Sequence, residues 1–179
     1  MRYIAFLRAI NVGGHVVRMA ELRTHFESLR FGRVETFIAS GNVIFESAGA
    51  DAAELESIIE QRLQKKLGYA VTTFLRTPAE VAAAASVPFA APDPAVHSMS
   101  VGFMKASPTS DAVSRVLALA TDLDDFHVAG RELYWRCRVR TSDSKVSGAR
   151  LERALAGPST FRNITTVRKI ADKYHDRPA

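Results

Sequence analysis

A short polar segment near the N-terminus carries the residue types that bind small anions. Arg8 and Asn11 precede the glycine pair Gly13–Gly14, directly after the apolar stretch from Tyr3 to Leu7. An arginine donates paired N–H groups to a phosphate or carboxylate, and glycines let backbone N–H groups approach the same anion. The same residues could equally form a tight strand-to-helix connection beside an exposed cation, so the spacing leaves both interpretations open.

The neighbouring elements must position this segment. Residues 4–7 are apolar on both alternating faces, which is typical of a central strand covered on both sides. Ser40-Gly41-Asn42 stands between two strand patterns and predicts a hairpin turn. Up to residue 76 the order is strand, helix, strand, strand, helix, strand, as in the ferredoxin-like arrangement, where the first and third strands are antiparallel neighbours. We therefore expect Arg8, Asn11, Gly13 and Gly14 to lie close to Ser40, Gly41 and Asn42.

The remaining pattern predicts an α+β protein of two ferredoxin-like (βαββαβ) lobes in tandem, with mostly antiparallel sheets and a C-terminal helix. In the first lobe, residues 1–76, Gly32 is expected to end one helix, and an Asp51 cap and Gly68 to bound the next. Residues 77–96 form a short helix and a Pro/Ala-rich linker. Residues 97–179 form the second lobe, with a helix at 143–156, a short strand at 159–163 and a last helix at 165–175.

Composition and length narrow the class of protein. The chain has 179 residues, of which 47% are hydrophobic and 24% charged, as in a soluble globular protein. No apolar run approaches the ~20 residues of a membrane-spanning helix, and no secretory signal precedes the first strand pattern. Cys137, the one cysteine, alternates with Leu133 and Trp135, which indicates a buried structural thiol. We therefore expect a cytoplasmic protein without membrane association.

Motifs for cofactor chemistry are missing from the sequence. The five histidines show no metal-ligand spacing, and neither a phosphate-binding P-loop nor a G-x-S-x-G nucleophile motif occurs. The segment from Asn11 to Gly14 lacks the third glycine of a dinucleotide-binding fingerprint. We therefore predict no metal and no cofactor, and because no residue near Arg8 is a persuasive acid, base or nucleophile, the sequence assigns no reaction.

Positive charge near the C-terminus supports an alternative function. Residues 131–179 hold twelve basic and five acidic residues, a net charge of +7 in a chain of net +5. Tyr134, Arg136, Arg138 and Arg140 alternate along one strand pattern, so their face could bind single-stranded nucleic acid, or it could be an ordinary polar face. A third interpretation is a protein-interaction module that pairs through an exposed sheet edge or face.

Several motifs together resemble the bacterial family known as domain of unknown function 1697. They are Leu7-Arg8-Ala9-Ile10-Asn11-Val12-Gly13-Gly14, Met19–Leu22, Ser40–Phe45, Ser144-Lys145, Arg162-Asn163 and Thr165–Val167. The family pattern has glycine where this chain has Ala9, leucine where it has Val146 and an aromatic residue where it has Ile164. The resemblance spans nearly the whole chain and implies a cytoplasmic α+β protein with no assigned activity.

The motifs of that family coincide with the polar clusters chosen by their chemistry. Ser144-Lys145 and Arg162-Asn163 can also be explained by helix capping, since Ser142, Asp143 and Thr165 are good caps. The predicted ligand-binding residues are Arg8, Asn11, Gly13, Gly14, Ser40, Gly41, Asn42, Lys145, Arg162 and Asn163.

Overall fold

The computed structural model describes residues 1–11, 13–49, 51–86, 88–89 and 93–175. Within these residues the protein is a mixed α+β structure with two four-stranded antiparallel sheets and six α-helices. They group into two compact units, Met1–Val81 with Tyr174 and His175, and Ala82–Lys173. The domain borders predicted after residues 76 and 96 stay predictions. The two compact units are defined by the contacts within them, whereas the predicted borders mark where one repeat of the fold ends and the next begins.

The first unit places its longest buried strand in the middle of the sheet. Its elements are β1 (Arg2–Leu7), α1 (Met19–Glu27), β2 (Gly32–Thr36), β3 (Asn42–Glu46), α2 (Ala52–Leu67) and β4 (Thr73–Arg76), followed by α3 (Pro78–Ala85), which begins in this unit. The strand order is β2-β3-β1-β4, and β1 is antiparallel to both β3 and β4. Every residue of β1 from Tyr3 to Leu7 is buried. The predicted central strand and its antiparallel pairing with the third strand are therefore confirmed.

Capping explains where the two main helices of this unit begin and end. The Asp51 carboxylate accepts the N–H of Glu54 at 2.8 Å, and Gly68 ends α2 in the left-handed conformation, both as predicted. The prediction that Gly32 ends α1 was wrong, because the helix ends at Glu27. The Ser28 hydroxyl donates to the carbonyl of His25 at 2.7 Å. This bond satisfies one of the last carbonyls of α1, and Gly32 opens β2 instead.

The second unit has the same order of elements. They are β5 (Ser98–Met104), α4 (Ser110–Leu117), β6 (Asp124–Ala129), β7 (Glu132–Cys137), α5 (Gly148–Leu155), β8 (Ser159–Asn163) and α6 (Ile164–Tyr174), whose last residue belongs to the first unit. The strand order is β6-β7-β5-β8, so the first, second, third and fourth strands of each unit occupy the same places in their sheets. Of the predicted linker, residues 87 and 90–92 lie outside the described residues.

The predicted helix at 143–156 begins later than expected. Thr141–Asp143 forms a single 3₁₀ turn, and α5 starts at Gly148 with Ser147 as its cap. Between them, the Ser144 hydroxyl accepts the N–H of Val146 at 2.9 Å, which holds this segment in a turn. A serine side chain that bonds to nearby backbone competes with helix formation, and here it delays the helix by about one turn.

Strand register allows the two units to be compared position by position. Ile4 pairs with Arg76 on the neighbouring strand, and Val101 pairs with Arg162 in the same way. The segment Ile-Ala-Phe-Leu-Arg-Ala at 4–9 therefore corresponds to Val-Gly-Phe-Met-Lys-Ala at 101–106. Under this register Lys105 of the second unit stands where Arg8 stands in the first. The weak sequence similarity between the halves becomes clear only with this alignment.

Candidate functional site

The end of β1 and the β2–β3 hairpin meet at one end of the first unit. The Leu7 N–H donates to the carbonyl of Gly41 at 2.8 Å, and the Arg8 N–H donates to the carbonyl of Thr72 at 2.8 Å. The Asn11 side-chain amide donates to the carbonyl of Ala39 at 3.1 Å. The predicted approach of Asn11 to the hairpin is confirmed by this contact, because antiparallel pairing of β1 and β3 places their connections at the same edge.

Asn11 has a bracing role in this arrangement. Its Oδ1 atom accepts the N–H of Val17 at 2.7 Å, while its Nδ2 atom donates to Ala39 across the gap to the hairpin. One side chain thus closes the connection between β1 and α1 and ties that connection to the next turn. Val12, inside the same motif, lies outside the described residues.

Gly41 and Asn42 are the buried residues at the end of the β2–β3 turn. Asn42 is fully buried, and its Nδ2 atom donates to the carbonyl of Phe37 at 3.0 Å and to the Ser40 hydroxyl oxygen at 2.8 Å. Gly41 has φ +68, and a Cβ atom there would lie 2.9 Å from the Cβ of Ile10. A glycine at this position is therefore required by both the backbone conformation and the close approach of Ile10.

Three of the predicted residues and Arg18 form an open, cationic surface at this end. Arg8, Gly13, Gly14 and Arg18 are exposed. A Cβ atom at either glycine would meet no atom within 4 Å, so the space above the turn is open. His15 stacks on Tyr69 with ring centroids 3.8 Å apart, which anchors the connection to the end of α2. The described residues therefore leave room for a side-chain-sized group at either glycine.

Left-handed backbone recurs in these two connections, which hold three of the six non-glycine residues with positive φ in the described part of the chain; the others are Arg30, Arg33 and Ala156. Ala9, Asn11 and Ile38 have φ values of 66°, 55° and 51°, and Gly13, Gly14 and Gly41 have positive φ as well. Each non-glycine residue in this conformation costs roughly 1–2 kcal/mol, and a β-branched isoleucine rarely adopts it. Strain of this kind persists only where the surrounding structure enforces it, and it often accompanies function.

Ala9 offers a direct test of that strain. We expect Ala9→Gly to stabilise the protein by about 0.5–1 kcal/mol, because glycine removes the left-handed penalty at a modest entropic cost. The matched control is Ala53→Gly in the exposed part of α2, which should destabilise by about 1 kcal/mol. Urea unfolding of both variants measures the signs, and equal destabilisation would contradict the left-handed geometry at Ala9.

The remaining predicted site residues belong to the second unit. The Asn163 Oδ1 atom accepts the N–H of Thr165 at 2.8 Å and so caps α6. Arg162 is buried, and its guanidinium donates to the Thr160 hydroxyl and to the carbonyl of Phe161, each at 2.9 Å. Burial lowers the pKa of Arg162 to about 10. Lys145 is exposed in the segment before α5. The structure therefore divides the ten predicted residues between two units.

A buried carboxylate in the second unit was missed by the sequence reasoning. Asp124 is 1% exposed and accepts hydrogen bonds from the Trp135 indole at 2.7 Å and from the Ser144 and Thr121 hydroxyls at 2.9 Å each. Burial raises the pKa of Asp124, but these hydrogen bonds and one from Cys137 lower it more, so the pKa lies below its ordinary value. The lone tryptophan was the available signal, since a buried indole N–H needs an acceptor.

The cysteine beside this carboxylate is not suited to act as a nucleophile. Cys137 is 1% exposed, and burial is the largest cause that raises the pKa of its thiol. A nucleophilic cysteine needs an accessible thiolate, which burial disfavours. Its position agrees with the structural role that the strand pattern indicated.

The arginine row on β7 and the following segment is largely neutralised by carboxylates. The Arg136 guanidinium contacts Asp125 at 2.8 Å and lies 4.2 Å from the Phe89 ring centroid. Arg138 pairs with both Asp93 and Asp125, and Arg140 pairs with Asp143. Tyr134, the one aromatic residue of the row, is 4% exposed. The row therefore presents neither an open aromatic platform nor a run of unpaired positive charge.

In the part of the chain that the structure describes, no three His, Cys, Asp or Glu side chains are grouped as metal ligands. Over the same residues, no helix is long and apolar enough to cross a membrane.

Comparison with known proteins finds a solved structure that is similar over nearly the whole chain. A conserved bacterial protein, SP0830 from Streptococcus pneumoniae, has a similar structure, with a TM-score of 0.72 and 25% sequence identity over 96% of this chain and 97% of that chain. No curated protein matches the sequence. A family described as protein of unknown function (DUF1697) matches residues 1–134, so the Ser144-Lys145 and Arg162-Asn163 motifs lie beyond the matched segment. This match covers Met1–Val81 of the first unit and the second unit into the middle of β7, which is about three quarters of the chain, and the chain therefore belongs to the DUF1697 family.

Proposed function

We propose that the first unit binds a small anionic ligand, bearing a phosphate or a carboxylate, at the turn formed by Arg8, Asn11 and Gly13–Gly14 beside Ser40. One observation carries the proposal: the two connections that meet at this open, cationic end hold six of the eleven residues with positive φ in the described part of the chain, three of them non-glycine. Backbone that is already fixed in such a conformation lowers the ordering cost of binding a ligand.

The side chains divide into a scaffold and a surface. Asn11, Gly41 and Asn42 hold the two connections together through the contacts described above. Arg8 and the glycine pair face solvent. Ser40 accepts a hydrogen bond from Asn42, which leaves its hydroxyl proton able to donate to a ligand. An anion here would be met by a guanidinium, a hydroxyl and backbone N–H groups, which is a common donor set for phosphate.

A thermal-shift panel of nucleotides, sugar phosphates and simple carboxylates tests the proposal on wild type and Arg8→Met. A ligand at ~100 times its Kd should stabilise wild type by ~2.7 kcal/mol, and Arg8→Met should lose most of this gain. Arg153→Met removes an exposed arginine from α5 in the other unit and should retain the full gain. Equal stabilisation of wild type and Arg8→Met would contradict the assignment of the site to this turn.

A second candidate function is docking of a protein partner at the same end. Val16 is 86% exposed and Ile38 is 54% exposed, and each lies in one of the two connections. Exposed branched aliphatic side chains beside strained backbone favour a contact surface. Val16→Ser should then abolish concentration-dependent association in sedimentation experiments without affecting small-ligand stabilisation, because serine adds no charge beside the proposed anion site.

Further proposals concern the topology of each unit, the location of the protein in the cell and the binding of nucleic acid. We infer that each unit has the ferredoxin-like topology, since both share one order of elements and one strand order. The single buried cysteine fits a reducing cytoplasm. Nucleic-acid binding through the basic C-terminal third has less support, because the arginines of its strand row are paired with carboxylates.

A further inference from the structure

The second unit contains a cavity of about 340 Å³ where β5 leads to α4 and α5 leads to β8. Its volume lies within the roughly 300–1,000 Å³ typical of small-ligand sites. The lining is mainly apolar, with polar groups from one lysine and two hydroxyl residues. The lining residues include Met104, Lys105, Ser107, Thr109, Leu155 and Pro158.

The corresponding place in the first unit is filled by the protein itself. Leu7 pairs with Thr73 and Met104 pairs with Ser159, so Gly157, two residues before Ser159, corresponds to Val71. Ile10, Val17 and Val71 are 4%, 4% and 1% exposed, and all three belong to the core of the first unit. The two connections of the first unit therefore bring three branched aliphatic side chains into its core, where Ile10 packs against Gly41 of the hairpin.

The second unit has no residues that could supply those side chains. Its connection from β5 to α4 consists of residues 105–109, whereas the connection from β1 to α1 consists of residues 8–18. The short connection carries Ala106, Ser107 and Pro108 instead of an isoleucine and a valine, and Gly157 replaces Val71. The cavity thus lies between two connections that lack the aliphatic side chains which the corresponding connections bring into the core of the first unit.

We propose that the second unit binds a small carboxylic acid with a branched aliphatic chain in this cavity. The branched chain would replace the side chains that the first unit supplies, and it would lie against Met104, Leu155 and Pro158. Lys105 occupies the register position of Arg8 on the cavity lining and supplies a positive charge for the carboxylate.

Titration with 3-methylbutanoate, followed by ¹H–¹⁵N NMR, tests the proposal on the full chain. The amide signals of Ala106, Ser107 and Gly157 should shift and saturate with a Kd of about 1 mM or lower. Two probes separate the parts of the ligand: 3-methylbutan-1-ol keeps the branched chain, and acetate keeps the charge. Each should bind at least about tenfold more weakly. Absence of saturable shifts at these amides with 3-methylbutanoate, or equal binding of the alcohol, would overturn the proposal.

A cavity-filling variant distinguishes loss of the site from loss of the fold. A Cβ atom at Gly157 would meet no atom within 4 Å, so Gly157→Val has room to occupy the cavity. We expect it to raise Tm by about 2–4 °C while abolishing binding of 3-methylbutanoate. Gly148→Val, at the other end of α5 and also without atoms near its Cβ, should retain binding. Retained binding in Gly157→Val would contradict the location.

A charge variant tests the role of the lysine. Lys105→Met should weaken 3-methylbutanoate binding about tenfold or more with little change in Tm, because a charge-assisted hydrogen bond is lost at an exposed position. Lys169→Met on α6 should leave binding unchanged. This site is independent of the proposed anion site, so failure here would not affect the result of the Arg8 experiment, and the reverse also holds.

Discussion

Replacing Gly41 with alanine is expected to destabilise the protein by about 2–5 kcal/mol. The new Cβ atom would lie 2.9 Å from the Cβ of Ile10 and 3.3 Å from the Cβ of Leu7, both of which are buried. Overpacking of this kind costs roughly 1–3 kcal/mol, and the left-handed φ of +68° adds roughly 1–2 kcal/mol for any L-residue. Urea unfolding followed by circular dichroism measures the loss.

The matched control separates the two contributions. Gly13 has φ +61, close to that of Gly41, but a Cβ atom there would meet nothing within 4 Å. Gly13→Ala should therefore cost only the backbone penalty of roughly 1–2 kcal/mol. The excess loss in Gly41→Ala measures the steric contact with Ile10. If the two variants lose the same stability, the close approach of the hairpin to the β1 connection is not as described.

Removal of the Asp124 carboxylate is expected to cost about 3–5 kcal/mol. Asp124→Ala leaves the Trp135 indole N–H and the Ser144 and Thr121 hydroxyls without their shared acceptor. Hydrogen bonds to a charged group contribute roughly 1.5–3 kcal/mol each, and a buried donor without a partner is costly. Asp143→Ala is the control, since Asp143 is exposed and pairs with Arg140 at the surface, where such a pair contributes at most about 1 kcal/mol.

The same carboxylate should make stability depend on pH in the acid range. Because the folded-state pKa of Asp124 lies below its ordinary value, the ionised form stabilises the fold above the unfolded-state pKa of about 3.9. This stabilisation is lost as the pH falls through the folded-state pKa. Wild type should therefore lose more stability than Asp124→Asn between about pH 5 and pH 3, as urea unfolding at the two pH values would show. Parallel losses in both proteins would contradict this role.

Local patterns in the sequence were sufficient to predict most of the helices and strands. The Asp51 cap and the left-handed Gly68 bound α2 as expected, because each satisfies helix ends through residues a few positions away. The apolar run of β1 indicated burial on both faces, and its pairing with β3 followed from the order of the elements. The errors arose at helix ends: the left-handed Arg30 turns the chain before Gly32, and the Ser144 hydroxyl bonds to nearby backbone before α5.

For the candidate site as well, the sequence determined some features and only the tertiary structure determined the others. The sequence by itself determined which segments meet, since strand order places the Arg8 turn and the Ser40 turn at one edge. Only the tertiary structure showed that Asn11 and Asn42 hydrogen-bond within the scaffold while Arg8 faces solvent. The reason is that side-chain partners and left-handed backbone depend on residues that are distant in the chain, and no local pattern records them.

The second unit shows most clearly which features could not be predicted from the sequence. Its charge and its single tryptophan are visible in the sequence, but the carboxylates that neutralise the arginine row and the acceptor for Trp135 are not. The cavity lies beside a short connection and Gly157, where the second unit has no counterparts of the buried Ile10, Val17 and Val71 of the first unit. Missing volume is a property of packing between elements, so the sequence determined the elements, and only the packed structure decided where space is left for a ligand.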